Sequence, residues 1–470
     1  MKVFESLVSG TNTVLWSYIL IIMLIGLGLY FTFRTKFVQF RMIGEMIRLL
    51  GEGAKGDKKG VSSFQAFCIS TASRVGTGNL AGVAIAITTG GPGAVFWMWL
   101  IALIGSASAF VESTLAQIYK VKDGDTFRGG PAYYMHKALN ARWMGIIFAV
   151  LISITFGLAF NSVQANTITS AFNQSFGINK SLIAIVLTII TAIIIFGGIK
   201  RIAKVAELMV PFMAGAYILI ALFIMVTNIT EIPHVFKLIF ESAFGIKEVA
   251  GGAIGAAMLN GIKRGLFSNE AGMGSAPNAA ATAEVSHPVK QGLIQSLGVF
   301  VDTLLICSST AFIILLSGQY TSKEQDGIIL TQNALETSLG SWAGIFVAII
   351  VLLFAFSSIV GNYYYGESNI DFIKNSKVWL NIYRIAVVGM VAFGSLASLK
   401  FVWSLADLFM ALMAIINLIA IALLGKIAFS ALADYRRQKA EGKDPVFKAS
   451  NIKGLKNVEA WGETNSGLEK

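Results

Sequence analysis

Long apolar runs dominate this chain and restrict what it can fold into. Eleven of them reach the length of a membrane-spanning helix, because about twenty apolar residues cover the hydrocarbon core of a bilayer. The runs are solidly apolar and do not alternate with polar residues as the strands of a membrane barrel do. The sequence therefore predicts an all-α integral membrane protein with eleven transmembrane helices, near residues 14–33, 64–90, 93–119, 143–172, 180–197, 205–227, 249–282, 291–317, 342–365, 380–398 and 402–428.

Lysine and arginine are distributed unevenly among the segments that join these runs. If the N-terminus lies outside, the predicted inner segments hold 27 of the 37 basic residues and the outer segments hold 6. Because basic loops stay on the cytoplasmic side, we expect a multi-pass protein of the cell (plasma) membrane with its N-terminus outside and its C-terminus in the cytoplasm. The net charge of +11 then belongs to loops facing an anionic leaflet, and it requires no nucleic-acid partner.

The second run, residues 62–90, is interrupted at its centre by the polar, glycine-rich sequence SRVGTGN. Irregular backbone at mid-depth is tolerated only where it lines a cavity, and an arginine such as Arg74 costs at least about 2.5 kcal/mol there. We expect a broken helix whose second half begins at Thr77, Gly78 and Asn79 and offers free N–H groups to an anionic group of a small solute. The carbonyls freed before the break then face a cation. The alternative is a structural helix kinked by its glycines.

The ten runs after the first divide into two sets of five, and each set begins with a long span interrupted by glycine and charged residues. Because five is odd, the second set enters the membrane from the opposite side, as in the inverted repeats of many transporters. We expect a cytoplasmic tail that is polar and disordered beyond about residue 440. The predicted units are an N-terminal helix with a basic loop, repeat 1, repeat 2 and the tail, at residues 1–61, 62–228, 249–428 and 429–470.

The interruption in the second repeat can lie at either of two segments. A break at LNGIKRG places Asn260 and Gly261 at the substrate, and a break at SNEAGMGS places Asn269 and the glycines after it there. Counting inward from the charged Lys247–Glu248 boundary at about 1.5 Å per residue reaches mid-depth near residue 260. We therefore prefer the first segment.

The fourth run carries polar residues at helical spacing. Asn161, Gln164 and Thr167 lie roughly one turn apart and can share one face of a helix. Gln164 is the best side-chain partner for an anionic group of the solute. The alternative is hydrogen bonding between helices, which polar residues supply in any membrane bundle.

Ionisable residues within the runs are candidates for gates, because charges inside a membrane usually pair. The basic candidates are Arg74, Lys263 and Arg264, and the acidic candidates are Glu270, Asp302 and Glu112. The sequence does not decide which pairs form, and Arg74, Glu270 and Asp302 are the gate residues that we favour.

Motifs of catalysis and of resident cofactors are missing from the sequence. The three histidines are isolated, no phosphate-binding glycine loop or nucleophile motif occurs, and Cys68 and Cys307 lie within apolar runs as small packing residues. We therefore predict a transporter rather than an enzyme, with a coupling ion and no cofactor. An ion channel is the alternative, and it would need a continuous pore.

Two long segments resemble the signatures of the alanine/glycine:cation symporter family, TASRVGTGNLAGVAIAITTGGPGAVFWMWL and KRGLFSNEAGMGSAPNAAATAEVSHPVKQG. Shorter similar stretches are ESTLAQIYK, RGGPAYYM and VFVDTLLIC, and the similarity extends over about residues 14–430. The resemblance implies uptake of alanine or glycine with sodium, or with protons in some relatives. It also implies the five-plus-five inverted repeat with two broken helices of the amino-acid/polyamine/cation superfamily, here with one extra N-terminal helix. It implies no particular oligomeric state.

The resemblance extends to a cation site. The pattern SRVGTGN is similar to NAVGLGN of the leucine transporter, and the match implies a sodium ion held by the carbonyls of Ala72 and Val75. The hydroxyls of Ser357 and Ser358 would complete this site. The two serines can instead bond back to the preceding turn of their own helix.

Overall fold

The computed structural model describes residues 2–53, 61–124, 126–196, 199–245, 251–321 and 327–461. These residues are largely helical, with a short antiparallel hairpin of Val121–Asp123 (β1) and Thr126–Arg128 (β2). The first helices are α1 (Lys2–Val14), α2 (Ile21–Arg34), α3 (Val38–Arg41), α4 (Ile43–Gly53), α5 (Ser63–Arg74), α6 (Val83–Gly90), α7 (Ala94–Ile118), α8 (Pro131–Leu139), α9 (Arg142–Ile152), α10 (Asn161–Phe176), α11 (Lys180–Ile195) and α12 (Ile199–Thr227). The later ones are α13 (Ile232–Ala243), α14 (Gly251–Asn269), α15 (Ala276–Thr282), α16 (Pro288–Phe300), α17 (Ser308–Ser317), α18 (Ile328–Leu339), α19 (Trp342–Ile373), α20 (Lys377–Leu396) and α21 (Leu399–Ala440). Wider π-helical turns occur at Leu15–Leu20, Gly78–Gly82, Ser153–Phe160 and Val301–Cys307, and short 3-10 turns at Gln319–Thr321 and Ala449–Asn451.

Seven helical stretches within the described residues are long and apolar enough to cross a bilayer, or eight if Pro211–Thr227 and Ile232–Ala243 form one span bent by 103°. The seven are Glu5–Arg34, Ala94–Ile118, Arg142–Phe176, Pro288–Ser317, Trp342–Ile373, Lys377–Leu396 and Leu399–Ala440. The helical, multi-pass character agrees with the sequence analysis. The count of eleven and the boundaries of the repeats stay predictions, and the boundary at residue 249 lies outside the described residues.

The first predicted break is present. Helix α5 begins at a capping box in which Ser62 and Gln65 satisfy each other's backbone N–H groups, and it ends at Arg74. Val75 is extended, with φ −78° and ψ 90°, and the helix resumes with the wide turn Gly78–Gly82 that leads into α6. The polar sequence therefore interrupts a helix in the protein interior, where all of its residues are buried.

The second break lies at SNEAGMGS, so our preference for LNGIKRG was wrong. Helix α14 is continuous through Asn260 and Gly261 and ends only at Asn269, where Glu270 and two of the following glycines take positive φ. Gly261 and Gly265 are packing positions rather than breaks, because a Cβ on either would overlap α7. A Cβ on Gly261 would lie 2.3 Å from the carbonyl oxygen of Ala94, which shows how closely α14 approaches α7.

The two broken helices pack against each other half by half. We call α5 and α15 the inner halves and α6 and α14 the outer halves, after the sides that the sequence predicts for them. The inner ends meet where Glu284 N–H donates to Val61 O at 3.1 Å, next to a parallel bridge between Val61 and Ala283. The outer ends meet where a Cβ on Gly90 would lie 3.0 Å from the carbonyl oxygen of Ala256. Helix α5 therefore accompanies α15, helix α6 accompanies α14, and the two breaks face each other.

The tail is ordered as far as Trp461, so the prediction of disorder beyond residue 440 was wrong for this stretch. Phe447 is 4% exposed, and its N–H donates to Ser286 O at 2.8 Å. The Trp461 indole N–H donates to Gln117 O at the end of α7, also at 2.8 Å. The tail is polar on average, but a few apolar side chains anchor it across the face where α5 begins and α15 ends. Residues 462–470 lie outside the described chain.

We expect Trp461→Ala to loosen the tail. The substitution removes the indole hydrogen bond and the contact with Phe447, whose ring centroid lies 5.1 Å from that of Trp461. Trypsin should then cut the purified protein faster after the tail lysines, with the sites read by mass spectrometry. Val446→Ala is the control, because Val446 is 51% exposed in the same segment. Equal cleavage rates in the two variants would contradict the docking.

Candidate functional site

Two side-chain amides replace backbone acceptors at the first break. In a continuous helix Gly76 N–H would donate to Ala72 O, but here it donates to Asn79 Oδ1 at 2.9 Å. Thr77 N–H would donate to Ser73 O, but it donates to Gln164 Oε1 at 3.0 Å. The carbonyls of Ala72 and Ser73 have therefore lost their helical donors, as the sequence predicted for this end of α5.

The freed carbonyls meet the two serines of α19. Ser358 Oγ lies 3.0 Å from Ala72 O and 3.4 Å from Val75 O, and Ser357 Oγ lies 3.4 Å from Ala72 O. Both hydroxyls also bond back to Phe354 O, at 2.8 and 3.0 Å, so both predicted roles of the serines fit this geometry. The spacing suits neighbouring ligands of a hard cation held at roughly 2.3–2.6 Å.

Glycine at position 76 makes this approach possible. A Cβ on Gly76 would lie 2.2 Å from Ser358 Oγ and 3.0 Å from Gln164 Oε1. The Thr77 hydroxyl also donates to Gln164 Oε1, at 2.5 Å, so Gln164 caps the start of the second half-helix. The structure therefore joins predicted residues of α5, the restart before α6, α10 and α19 into one buried cluster.

Three aromatic rings enclose the start of the second half-helix, and the sequence analysis did not include them. The ring centroid of Phe267 lies 4.4 Å from that of Phe160 and 4.5 Å from that of Trp403. A Cβ on Gly78 would lie 2.9 Å from Phe267. Phe267 precedes the second break by three residues, which is a signal that could have pointed to it, whereas Trp403 lies in an ordinary apolar run.

Asp302 connects the outer halves of the two broken helices. Its carboxylate accepts from Asn79 Nδ2 at 2.7 Å, from Ser268 Oγ at 2.8 Å and from Thr303 Oγ1 at 2.9 Å. Asn79 belongs to the restart before α6, and Ser268 belongs to the end of α14. All of these groups are buried.

Glu270 makes the corresponding connection between the inner halves. Its Oε1 lies 2.9 Å from Ser73 Oγ at the end of α5, and its Oε2 accepts from Ser275 Oγ at 2.6 Å just before α15. Glu270 is 1% exposed. The second break is stabilised further by Glu112, which accepts from Gly272 N–H at 3.1 Å.

The sequence left open which gate pairs form, and within the described chain Arg74 makes no ion pair with Glu270 or Asp302. Arg74 is 2% exposed, and its one hydrogen bond within the described chain goes to Gln295 O at 3.4 Å. Its Nε and Nη2 atoms have no hydrogen-bond partner there. Glu270 and Asp302 bind hydroxyl and amide groups instead, because these lie at the ends of the half-helices that the carboxyl groups join.

The other two basic residues pair with Asp407 of α21, which was not among the acidic candidates. Arg264 Nη2 lies 2.5 Å from both Asp407 carboxylate oxygens, and Lys263 Nζ lies 3.4 Å from one of them. The Arg264 guanidinium also lies 4.4 Å from the centre of the Trp403 ring. The pair therefore lies next to the aromatic enclosure, on the side of α14 that leads away from the breaks.

Asn260 and Gly261 are not part of this cluster. Asn260 Nδ2 donates to Ala256 O of its own helix at 3.0 Å. Both residues precede the end of α14 by two turns or more, which at about 1.5 Å per residue separates them from the break by more than about 10 Å. The structure does not join them with the other predicted substrate residues.

Comparison with known proteins identifies the family. The sequence matches the sodium:alanine symporter family over residues 1–449. The chain belongs to this family. It is therefore a membrane transporter rather than an enzyme.

Individual relatives cover nearly the whole chain. The amino-acid carrier protein AlsT of Bacillus subtilis (strain 168) is 61% identical over 97% of this chain and 98% of its own length. The probable sodium/glutamine symporter GlnT of the same organism is 58% identical over 98% of this chain and 96% of its own length. Among solved structures, MhsT in complex with L-phenylalanine is similar in fold, with a TM-score of 0.54 at 16% identity, over 80% of this chain and 96% of that one. The transporter has the fold of the leucine-transporter group.

We expect Gly76→Ala to disrupt the contact between α5 and α19. The new methyl group would overlap Ser358 Oγ, and such overpacking typically costs about 1–3 kcal/mol. Any stabilisation of the purified transporter by sodium over potassium, measured as a shift in unfolding temperature, should be lost. Gly389→Ala is the control, because nothing lies within 4 Å of a Cβ at that position. A sodium-dependent shift that survives in Gly76→Ala would show that this contact is not a cation site.

Proposed function

We propose that this protein imports a small neutral amino acid, alanine or glycine, together with sodium by alternating access. The observation that carries the proposal is the convergence of the Ala72 and Val75 carbonyls on the hydroxyls of Ser357 and Ser358. A set of neutral oxygens suits a hard monovalent cation. Membership of the sodium:alanine symporter family supports both the ion and the substrate.

The second half-helix supplies the part of the substrate site that binds the substrate's carboxylate. The first N–H groups of a helix attract anions because they lack partners and lie at the positive end of the helix dipole. Thr77 and Gly78 present this end beside the cation oxygens, whereas Asn79 N–H already donates to Gly76 O at 3.2 Å. A substrate carboxylate takes over the Thr77 donors from Gln164, and the amide of Gln164 then turns its N–H groups to the carboxylate. The ammonium group lies toward the carbonyl end of α5.

The aromatic enclosure favours a small substrate side chain. Phe267 lies so close to Gly78 that a Cβ there would approach its ring to 2.9 Å, and Phe160 and Trp403 pack against the Phe267 ring. Glycine and alanine add at most a methyl group beyond the shared backbone atoms. Glutamine is the competing substrate, since the relative GlnT is a probable sodium/glutamine symporter at 58% identity.

The substrate site is closed on both sides in this conformation. The pair of Arg264 and Asp407, stacked on Trp403, closes the route that leads from the substrate to the outer ends of α6 and α14. On the opposite side, the inner halves α5 and α15 close the route, and the docked tail lies across their ends. Alternating access moves the inner pair of half-helices relative to the outer pair.

Uptake into proteoliposomes tests the proposal. Labelled alanine should accumulate against its gradient when sodium is imposed outside, and unlabelled alanine or glycine should compete more strongly than glutamine. Accumulation driven only by a proton gradient would favour proton coupling instead. Ion conductance without substrate would favour a channel. No accumulation on either gradient, from protein shown to be folded, would exclude the symporter.

Ser358→Ala tests the cation site. Loss of one hydroxyl ligand should weaken sodium binding by about 1–2 kcal/mol, which is on the order of tenfold in the sodium concentration for half-maximal uptake. Ser309→Ala is the matched control, because among the described residues the Ser309 hydroxyl bonds only to Leu305 O of its own helix, at 2.8 Å. An equal change in the two variants would exclude a specific role for Ser358.

Asn79→Ala tests the substrate site. The change removes the acceptor of Gly76 N–H and the shortest of the donors to Asp302, so the start of the second half-helix loses its position. We expect uptake to be abolished in protein that still elutes as a single folded species. Normal uptake by this variant would place the substrate elsewhere.

A further inference from the structure

Two buried side-chain amides, Asn161 and Asn362, form a chain of hydrogen bonds in which the donor and the acceptor of each bond are fixed. Asn161 Nδ2 donates to the backbone carbonyl of Gly157 at 3.2 Å, and its Oδ1 accepts from Asn362 Nδ2 at 3.0 Å. A backbone carbonyl can only accept, so neither amide can be reversed without placing two oxygens together. Asn362 therefore presents its oxygen, and not its nitrogen, to Ser73.

The Ser73 hydroxyl lies between two oxygens but has only one proton. Its Oγ is 2.7 Å from Asn362 Oδ1 and 2.9 Å from Glu270 Oε1, and both distances are those of full hydrogen bonds. Asn362 Oδ1 has no proton to give, so the serine proton lies on that side. An ionised Glu270 would then face a lone pair of Ser73 across 2.9 Å with no hydrogen between them.

We propose that Glu270 is a proton-binding site, and that in this conformation the proton is held on Oε1 and donated to Ser73 Oγ. The other carboxyl oxygen accepts from Ser275 Oγ at 2.6 Å, so every partner of the neutral acid is satisfied. Burial agrees with this assignment, because a neutral carboxyl avoids the desolvation of a charge in an interior where Glu270 is 1% exposed.

The charged and titratable groups that act on Glu270 come from three neighbouring elements. Arg74 at the end of α5 and Asp302 beside α16 act on it with opposite charges, and Tyr365 of α19 is the third group. Arg74 Nε and Nη2 are without hydrogen-bond partners in the described chain. The positive charge nearby is therefore positioned to receive Glu270 once it ionises.

Asp302 has the opposite hydrogen-bond pattern and serves as an internal reference. Its side-chain partners Asn79 Nδ2, Ser268 Oγ and Thr303 Oγ1 all donate. None of them needs a proton from the acid, so Asp302 is held as the carboxylate. Two buried carboxyl groups in one site thus differ in protonation because one faces an acceptor and the other faces donors.

The consequence for transport rests on the proposed function. With its proton, Glu270 joins Ser73 of α5 to Ser275 before α15 and holds the inner halves together. When water enters the inner route, the O–H bond of the Glu270 carboxyl group breaks and water takes the proton. The resulting carboxylate can no longer donate a hydrogen bond to Ser73. The inner halves then separate, and Glu270 binds a proton again as they close.

Infrared difference spectroscopy of the purified transporter at neutral pH tests the proton directly. Glu270→Gln is the fold-preserving variant, because its amide can donate to Ser73 and accept from Ser275, in the same directions as the neutral carboxylic acid. The wild type minus Glu270→Gln spectrum should contain the carbonyl stretch of an undissociated carboxylic acid, shifted in heavy water. Asp302→Asn is the control, and its difference spectrum should contain carboxylate bands instead.

A Glu270→Gln difference spectrum with carboxylate bands and no carboxylic acid band would overturn the proposal. Transport gives a second readout. The amide of Glu270→Gln cannot release a proton as the carboxylic acid does. Equilibrium binding of alanine should therefore persist, while net uptake on a sodium gradient falls several-fold. Unchanged net uptake would overturn the release step. If the wild type fails to take up alanine at all, the proposed function fails, and the infrared result still decides the protonation of Glu270.

Discussion

Two side-chain amide oxygens hold the first broken helix open, and the rest of the site depends on them. Asn79 and Gln164 accept the N–H groups that a continuous helix would direct to Ala72 O and Ser73 O. A buried N–H without a partner is costly, so the break is stable only because these acceptors are in place. The same exchange leaves two carbonyls without their helical N–H donors, and one of them, Ala72 O, faces the hydroxyls of the α19 serines.

The buried carboxyl groups define which parts of the molecule belong together. Asp302 joins the restart before α6 to the end of α14, and Glu270 joins the end of α5 to the start of α15. Each link lies within a pair of half-helices that pack along the same side of the breaks. In the proposed cycle the two pairs move relative to each other while both links hold, and α5 separates from α15 only after Glu270 has lost its proton.

A large share of this arrangement could be predicted from the sequence, and the misses have physical causes. The break at SRVGTGN was predicted because glycine and polar residues inside a membrane-spanning run are tolerated only where they line a cavity. Gly261 was misread as a break because a glycine that allows close helix packing looks identical in sequence to one that ends a helix. The tail was misread because Phe447 and Trp461 are too few to alter its polar average, although they anchor it.

The sequence by itself determined that this chain is a helical membrane protein with an interrupted, polar helix at its centre, because apolar length and local breaks are properties of neighbouring residues. The tertiary structure alone decided which charges and hydroxyls meet. Arg264 pairs with Asp407, and Glu270 faces Ser73 across nearly two hundred positions of the chain. Partners so far apart are chosen by how the helices pack, and in a medium of low dielectric that choice sets the charge of each buried group.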